Sequence, residues 1–332
     1  MLVRKFTNLL ACSTIAMTAV LGQATLASAA DKVQLIYSDT VPETDIRSTT
    51  LKEQFGACLG DGFEFKPYFG ATLFKQGTEL TAIQRGNLDM ASLAIYDFQN
   101  QAPESGILGA AYLFRDYKHM RATWKSGVLN DLVAGIEGKT KIKLLANPYI
   151  GTRQLNLRGD KKVSVPADLS GVKLRMPGGE GWQFVGKALG ANPTPLAFTE
   201  VYTGLQTGAI DGQDNPLPAD KAMKFYEVTK QIVLTNHLVA NNQFVISQAK
   251  WASLNADQQK KVQDCATNFE KALDDVTLKQ EAELVDFFKA QGLQVYSPDN
   301  DAFRKHVLEE YAKSPLSKDW PAGLVDKISA VQ

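Results

Sequence analysis

Two octets in this sequence share one pattern, AIQRGNLD at residues 82–89 and GLQTGAID at residues 204–211. Each runs through a small residue, an aliphatic residue, glutamine, any residue, glycine, any residue, an aliphatic residue and aspartate. We interpret each octet as the last turn of a helix, the glycine that ends it and the first residues of a strand. One copy in each half of the chain predicts two lobes of similar construction, although this transition is also frequent by itself.

The segments around the octets predict an alternation of strands and helices. Apolar patterns typical of strands occur in VQLIY (33–37), FEFKPYF (63–69), LDMASLAIY (88–96) and GVKLRMP (171–177). Helical patterns occur in IRSTTLKEQFGACLG (46–60), GTELTAIQRG (77–86), GEGWQFVGKALG (179–190) and TEVYTGLQTG (199–208). This order predicts an α/β fold in which helices cover largely parallel sheets.

A long helix is predicted near the end of the chain. Residues 257–290 contain no proline or glycine, and apolar residues recur there at helical intervals. At 1.5 Å per residue such a helix would be about 50 Å long, which is too long for one lobe. We therefore expect it to cross both lobes, although a break near residues 278–280, where the apolar stripe weakens, would give two ordinary helices.

The N-terminus has the pattern of an export signal. Arg4 and Lys5 precede an apolar run and the small residues ASAA, which predicts cleavage after Ala29. A lipoprotein reading with Cys12 as the lipidated residue is the alternative, and it leaves a shorter apolar stretch. No later segment has the ~20 apolar residues of a membrane span. We expect a monomer in the periplasm.

Charge and cysteine content restrict the function further. The 36 Lys and Arg balance the 36 Asp and Glu, so no basic excess is available for a phosphate backbone, and nucleic acid is not expected as a partner.

Cys58 and Cys265 both lie on apolar helical stripes of the exported chain. A disulfide between them and two separately buried thiols are both compatible with this pattern.

Ligand contacts are expected beyond the carboxyl ends of the strands, where loops from both lobes meet. Arg175 ends a predicted strand and precedes Pro177-Gly178-Gly179, an arrangement suited to a carboxylate, but strand charges also commonly face water. The other candidates share positions near strand ends or helix starts, and each has an ordinary structural alternative on the surface, in a turn or in the core. They are Arg153, Lys75, Asn215, Phe198, Trp182, Glu180, Asp214 and Tyr96.

The sequence contains none of the motifs that are typical of common catalytic sites. His119, His237 and His306 are scattered, there is no zinc-type Cys or His spacing, and no nucleophile elbow, phosphate loop or dinucleotide-binding glycine motif occurs. We predict no cofactor, no metal and no enzyme. The rival hypothesis is a periplasmic enzyme for small hydroxy acids that uses Asp211, Asp214 or Glu180 as acid or base, and a ligand-presenting sensory module is a second alternative.

The chain resembles the DctP-type solute-binding proteins of tripartite ATP-independent periplasmic (TRAP) transporters. The resemblance covers nearly all of the exported chain and is densest in GTRQLNLRG, LSGVKLRMPGG, ALGANPTPLAFTEVYTGLQTGAIDGQDNPL, KFYEVTKQIVLTNH and FGATLFKQGTELTAIQRGNLDM. It implies a type II-like periplasmic binding protein fold with two α/β lobes, hinge strands and a helix across both. Lobe I would comprise residues 30–152 and about 241–280, and lobe II residues 153–240 and about 281–332.

The resemblance also implies a ligand class and roles for individual residues. Arg175 falls on the carboxylate-pairing arginine of the family, Arg153 on its second arginine, Asn215 on a ligand-contacting asparagine and Phe198 on the aromatic residue that lines the pocket. Lys75 lies near a loop that touches the ligand in some members. Sialic-acid binders carry a carboxylate where this chain has ASLAIY, which disfavours sialic acid. A uronate or another sugar acid, a C4-dicarboxylate, a keto acid or a sulfonate is expected, delivered to the small and large TRAP membrane subunits.

Overall fold

The fold is built on two β-sheets, in a computed structural model that describes residues 32–332. The predicted signal peptide, its cleavage after Ala29 and the alternative at Cys12 lie outside the described residues. The strands are β1 Val33–Ser38, β2 Phe63–Tyr68, β3 Met90–Leu93, β4 Ile142–Ala146, β5 Tyr149–Leu157, β6 Lys173–Met176, β7 Asn192–Pro195, β8 Gly212–Pro216, β9 Gln231–Asn241, β10 Gln243–Ser247 and β11 Gln294–Tyr296. The helices are α1 Ile46–Thr50, α2 Ala57–Leu59, α3 Glu79–Gln84, α4 Tyr117–Lys125, α5 Asn130–Thr140, α6 Glu180–Ala188, α7 Val201–Thr207, α8 Leu217–Ala222, α9 Gln248–Ser253, α10 Ala256–Ala290, α11 Asn300–Lys313 and α12 Leu324–Ser329.

The two sheets define two lobes. The first sheet has the order β2-β1-β3-β10-β4, and the second has the order β11-β9-β5-β8-β6-β7. Strands β2, β1 and β3 are parallel, as are β8, β6 and β7, so the prediction of parallel sheets is correct there. Strands β4, β5, β9 and β10 make the antiparallel pairs, because the chain turns back where it passes between the sheets.

The chain crosses from the first sheet to the second between β4 and β5, and it returns between β9 and β10. This double crossing gives the two-lobed α/β fold and places the connecting strands side by side, because β5 and β9 pair with each other. The lobe boundaries given above stay a prediction.

The octets have the conformation that their pattern predicts. Helix α3 is followed by Gly86 at φ 75°, and helix α7 is followed by Gly208 at φ 80°, before β3 and β8 begin. The last aspartate of each octet makes the same two hydrogen bonds in its lobe. Asp89 donates its backbone N–H to the Ile36 carbonyl and accepts the Ile36 N–H on its carboxylate, and Asp211 makes the same pair of bonds with Lys173. The repeated motif is therefore a repeated way of fixing a helix to a parallel strand.

The third predicted strand is shorter than its apolar pattern suggests. Strand β3 ends at Leu93, and residues Ile95–Phe98 form a 3-10 turn rather than the end of a strand. The carboxylate of Asp97 accepts a 2.9 Å hydrogen bond from the Ala94 N–H and so starts that turn. The turn directs Ala94 and Asp97 toward the space between the lobes.

Helix α10 is a single helix of 35 residues, so the alternative break near residues 278–280 does not occur. Its first half buries Phe269 in the main core, against Phe244 of the first sheet at a ring distance of 5.2 Å. Its second half buries Leu284 and Phe288 in a separate cluster with Ile232 of the second sheet. The helix thus joins the cores of both lobes, as predicted. None of the helices in residues 32–332 is long and apolar enough to cross a membrane.

Acidic side chains of α10 hold the crossing between the sheets. Asp274 accepts the Tyr149 N–H at 2.7 Å, and Glu281 accepts the Thr152 N–H at 2.6 Å and the Tyr149 hydroxyl at 2.6 Å. Gly151 between them has φ 114°, and a Cβ there would lie 2.6 Å from the Pro216 Cβ. Glycine is required at this position because a side chain would push the connecting strand away from both neighbours.

A disulfide connects Cys58, in α2, to Cys265, in α10, and this resolves the two alternatives left by the sequence. The two cysteines are 207 residues apart in the chain. A cross-link that closes so long a loop removes many conformations from the unfolded state. The bond therefore attaches α10 to the first lobe covalently, in addition to the packing of Phe269.

We expect the double variant Cys58→Ser/Cys265→Ser to lose about 2–5 kcal/mol of unfolding free energy, because its unfolded chain is no longer constrained. Urea unfolding with and without reductant measures this. Reductant should destabilise the parent protein and leave the double variant unchanged. Equal stability of the two oxidised proteins would contradict the assignment of a stabilising role to this bond.

Candidate functional site

A cleft between the two lobes contains about 700 Å³ of space that protein atoms do not fill, part of it open to solvent. Polar and charged side chains from both lobes line it. The first lobe contributes Asp39, Arg47, Gln76, Glu79, Ser92 and Asp97. The second lobe and the connecting strands contribute Arg153, Arg175, Trp182, Phe198, Asn215 and Asn242.

Arg175, at the end of β6, is a buried cation without a counter-anion in the described chain. Its side chain is 1% exposed. Its Nε donates to the Leu196 carbonyl at 2.8 Å and its Nη2 to Oε1 of Gln76 at 3.1 Å, and no carboxylate of residues 32–332 forms a salt bridge with it. Burial lowers the pKa of Arg175 to about 9, which still leaves the group cationic at neutral pH. A buried charge without an ion-pair partner is unfavourable, so an anion from outside the protein would stabilise it.

Arg153 also lines the cleft, but the protein supplies its partner. The guanidinium donates from Nε to Oδ2 of Asp214 at 2.6 Å and from Nη2 to Oδ1 at 3.0 Å, and its flat face lies 4.6 Å from the centre of the Trp182 ring. Burial alone would raise the pKa of Asp214, but the charge of Arg153 and a hydrogen bond from His237 hold that pKa well below its usual range. Arg153 and Asp214 therefore form an internal ion pair under the site.

The second-lobe wall of the cleft includes Asn215, Phe198 and Trp182. The Asn215 amide nitrogen donates to Oε1 of Gln213, and Asn215 lines the cleft. Phe198 lies 5.8 Å from the Arg175 guanidinium, ring centre to Cζ, and its backbone N–H donates to Oε1 of Gln76 at 3.0 Å. Gln76 thus connects the first lobe to two second-lobe groups at once.

The remaining residues selected from the sequence lie outside the cleft wall. Lys75 and Glu180 are exposed, and Glu180 belongs to a groove between α6 and α11 on the outer surface. Asp214 is fully buried under Arg153. Tyr96 lies behind Trp182, with ring centres 5.0 Å apart, and its hydroxyl donates to the Gly109 carbonyl at 2.5 Å. Their roles as ligand contacts stay predictions that this geometry does not favour.

Sequence reasoning missed the first-lobe wall. Asp39 follows β1 and Asp97 follows β3, so the rule that ligands bind beyond strand ends could have found both. Arg47 is paired with Asp45 at 2.7 Å and contributes no free charge. Gln76 is the direct neighbour of Lys75, which was selected in its place. No sequence signal distinguishes Glu79 from an ordinary acidic residue in the first turn of a helix.

Burial determines the protonation of these first-lobe acids. Glu79 is 4% exposed, and burial, with the charges of Asp97 and Asp39 adding to it, raises the pKa of Glu79 to about 8. Burial also raises the pKa of Asp97 to about 6, and that of Asp39 upward from its usual value. The first-lobe wall is therefore acidic in composition but only partly ionised near neutral pH.

The arrangement can bind and orient an anion, and it lacks the parts of a metal centre. No group of three or more His, Cys, Asp or Glu side chains in the described residues is placed to hold a metal ion. A two-lobed α/β fold with a buried, unpaired arginine in its cleft defines a solute-binding protein. The chain belongs to the DctP family, bacterial extracellular solute-binding protein family 7, which matches residues 42–317. Members of this family bind small organic acids and work with TRAP membrane components.

Individual relatives agree with this membership. The sialic acid-binding periplasmic protein SiaP of Vibrio cholerae is 32% identical over 272 residues, which is 80% of this chain and 81% of the relative. The 2,3-diketo-L-gulonate-binding periplasmic protein YiaO of Escherichia coli is 31% identical over 272 residues, 81% of each chain. A solved TRAP periplasmic solute-binding protein of Roseobacter denitrificans, with bound 3-deoxy-D-manno-oct-2-ulosonic acid (KDO), is 44% identical with a TM-score of 0.89, over 91% of this chain and 100% of that chain.

We expect Arg153→Ala to lower the unfolding free energy of the empty protein by about 3–5 kcal/mol, because it leaves the buried Asp214 carboxylate without its cation. Urea unfolding measures the change. The double variant Arg153→Met/Asp214→Leu removes both charges and should recover much of the loss. A loss of less than about 1 kcal/mol in the single variant would contradict the internal ion pair.

The raised pKa of Glu79 predicts a pH dependence of stability. Between its usual value of 4.5 and about 8, the folded state keeps the Glu79 proton that the unfolded state releases, so stability falls as the pH rises through this window. Glu79→Gln removes this contribution. The stability of the variant relative to the parent should rise from about pH 5 to about pH 8, by at most about 1.4 kcal/mol per pH unit. A pH-independent difference in urea unfolding would contradict the assignment.

Proposed function

We propose that this protein captures a sugar acid in the cleft between its lobes and delivers it to the membrane subunits of a TRAP transporter. The observation that carries the proposal is the buried guanidinium of Arg175, which has no carboxylate partner in residues 32–332. An arginine offers a carboxylate two parallel hydrogen bonds, and Nη1 of this one makes no hydrogen bond within residues 32–332. We place the ligand's carboxylate there.

The relatives support a sugar acid as the ligand class. The Roseobacter denitrificans structure with 44% identity contains KDO, an eight-carbon sugar acid. Another from the same organism, at 25% identity, contains L-galactonate. Each of these ligands combines one carboxylate with several hydroxyl groups. The cleft described above also combines one free cation with an uncharged or partly charged wall of hydrogen-bonding groups.

Closure of the lobes would couple binding to delivery. Gln76 of the first lobe bonds both Arg175 and the Phe198 backbone of the second lobe, so the two walls are in contact across the site. A ligand stabilises the closed form only by binding it more strongly than the open form. Charge-assisted hydrogen bonds contribute about 1.5–3 kcal/mol each, so a few contacts from both walls to one ligand are sufficient.

A carrier is a better proposal than an enzyme. Of the three carboxylates considered as acid or base, Asp211 is bonded to the Lys173 backbone, Asp214 is paired with Arg153, and Glu180 is exposed outside the cleft. None of them faces the space beside Arg175. We further propose a monomer, exported to the periplasm by the N-terminal signal. Recovery of chemically intact ligand after prolonged incubation would favour the carrier, and turnover would favour the enzyme.

The proposal predicts that Arg175→Ala weakens binding of a sugar acid at least tenfold while the empty protein keeps nearly the same melting temperature. The cause is loss of the carboxylate partner without loss of an internal ion pair. Isothermal titration with KDO and D-galacturonate measures affinity. Arg304→Ala, at an exposed arginine of α11, is the matched control and should bind like the parent.

A thermal-shift screen identifies the ligand class directly, because a bound ligand stabilises the folded state by RT ln(1 + [L]/Kd). Sugar acids should raise the melting temperature of the parent and leave that of Arg175→Ala unchanged. A shift produced only by dicarboxylates, keto acids or sulfonates would overturn the proposed ligand class. A large loss of stability in Arg175→Ala with unaltered affinity would overturn the role of Arg175.

A further inference from the structure

The first-lobe wall contains one acid with an unpartnered carboxylate oxygen. Glu79 begins α3, is 4% exposed and lines the cleft, and its Oε2 has no hydrogen-bond partner among the described residues. Buried polar atoms in folded proteins nearly always have a partner. A buried, unpartnered oxygen on a residue that lines a ligand cleft points to the ligand as its partner.

The two neighbouring acids differ from Glu79 in this respect. Asp39 accepts the Tyr37 hydroxyl at 2.6 Å and the Thr40 N–H at 2.7 Å. Asp97 accepts the Ala94 N–H at 2.9 Å and starts the turn after β3. Their carboxylates hold the local backbone, so their burial has a structural reason. The Glu79 carboxylate lies close to the backbone N–H groups of Gly77 and Glu79, which act to lower its pKa, but its Oε2 has no hydrogen-bond partner in residues 32–332.

We infer that Glu79 is a specificity-determining residue that hydrogen-bonds a hydroxyl group of the ligand and makes the cleft select hydroxylated monocarboxylates over dicarboxylates. This inference rests on the proposed function, because it takes the ligand carboxylate to lie on Arg175. It adds a first-lobe residue that would hydrogen-bond the part of the ligand lying away from Arg175.

The chemistry of the first-lobe wall supports a hydroxyl group as the partner. No salt bridge involves Glu79 within residues 32–332, and the nearby Arg47 is paired with Asp45. With its pKa raised to about 8 by burial, Glu79 keeps its proton at neutral pH. A neutral carboxyl group donates one hydrogen bond and accepts others, as a hydroxyl group does. The two groups can therefore satisfy each other without a net charge.

The same wall disfavours a second carboxylate on the ligand. A dicarboxylate held at one end by Arg175 would place its other end among Glu79, Asp39 and Asp97, where no unpaired cation of the described chain is available. It would lose its water there and gain repulsion. A site built to bond a hydroxyl group also discriminates strongly against analogues that lack it, because its own buried groups are then left unpaired.

The test uses isothermal titration at pH 7 with KDO and D-galacturonate as hydroxylated probes and succinate as the dicarboxylate probe. Glu79→Leu should weaken binding of the hydroxylated probes at least tenfold and should not weaken succinate. Glu79→Gln keeps a neutral donor and acceptor, so its affinities should stay within about threefold of the parent. Thr81→Ala, at an exposed position of the same helix, is the control and should change nothing.

A second measurement separates a binding role from a structural one. Deoxy analogues of D-galactonate, each lacking one hydroxyl group, are titrated against the parent and Glu79→Leu. One analogue should bind at least tenfold more weakly than D-galactonate to the parent and about equally to the variant. Equal losses for every probe in Glu79→Leu, or hydroxylated probes that bind it within threefold of the parent, would overturn the inference.

The two proposals fail in different ways. If the parent binds succinate and none of the hydroxylated acids, the sugar-acid ligand class is wrong, and the inference about Glu79 is wrong with it. If the parent binds hydroxylated acids through Arg175 and Glu79→Leu binds them equally well, only the inference is wrong. The melting temperature of each empty variant, measured in parallel, establishes that the titrations compare folded proteins.

Discussion

The buried guanidinium of Arg175 is the constraint on which the site depends. Folding normally pairs a buried charge, and this protein does so for Arg153, which bonds both carboxylate oxygens of Asp214. Arg175 instead has a carbonyl and an amide oxygen as partners. Two arginines on one wall therefore differ, because the protein neutralises one of them and leaves the other for the anion that we propose as the ligand.

The two lobes are built from similar units and are joined by connecting strands and by one long helix. Asp89 and Asp211 fix equivalent helix, glycine and strand units in the two lobes through paired bonds to a neighbouring strand. Helix α10 spans both cores, and the Cys58–Cys265 disulfide attaches it to the first lobe. At the crossing between the sheets, Asp274 and Glu281 of the same helix accept backbone N–H groups of β5.

The two walls of the cleft divide recognition between charge and hydrogen bonding. The second lobe presents the cation and the aromatic residues Phe198 and Trp182. The first lobe presents buried acids, of which Glu79 has a pKa near 8. A ligand needs contacts with both walls to stabilise closure, and a molecule with one carboxylate and several hydroxyl groups has them.

The sequence by itself determined features that depend on local periodicity, namely the alternation of strands and helices around the octets, the helical pattern of residues 257–290 and the octet conformation with its positive-φ glycines. Resemblance to a family indicated ligand-contacting roles for Arg175, Phe198 and Asn215 among the candidates. Only the tertiary structure decided the disulfide, the continuity of α10, the early end of β3 at Leu93, the pairing of Arg153 with Asp214 and the unpartnered Oε2 of Glu79. The physical reason is that burial and partnership are properties of side chains brought together from distant parts of the chain, and no local pattern records which of two arginines, or which of three acids, is left without a partner.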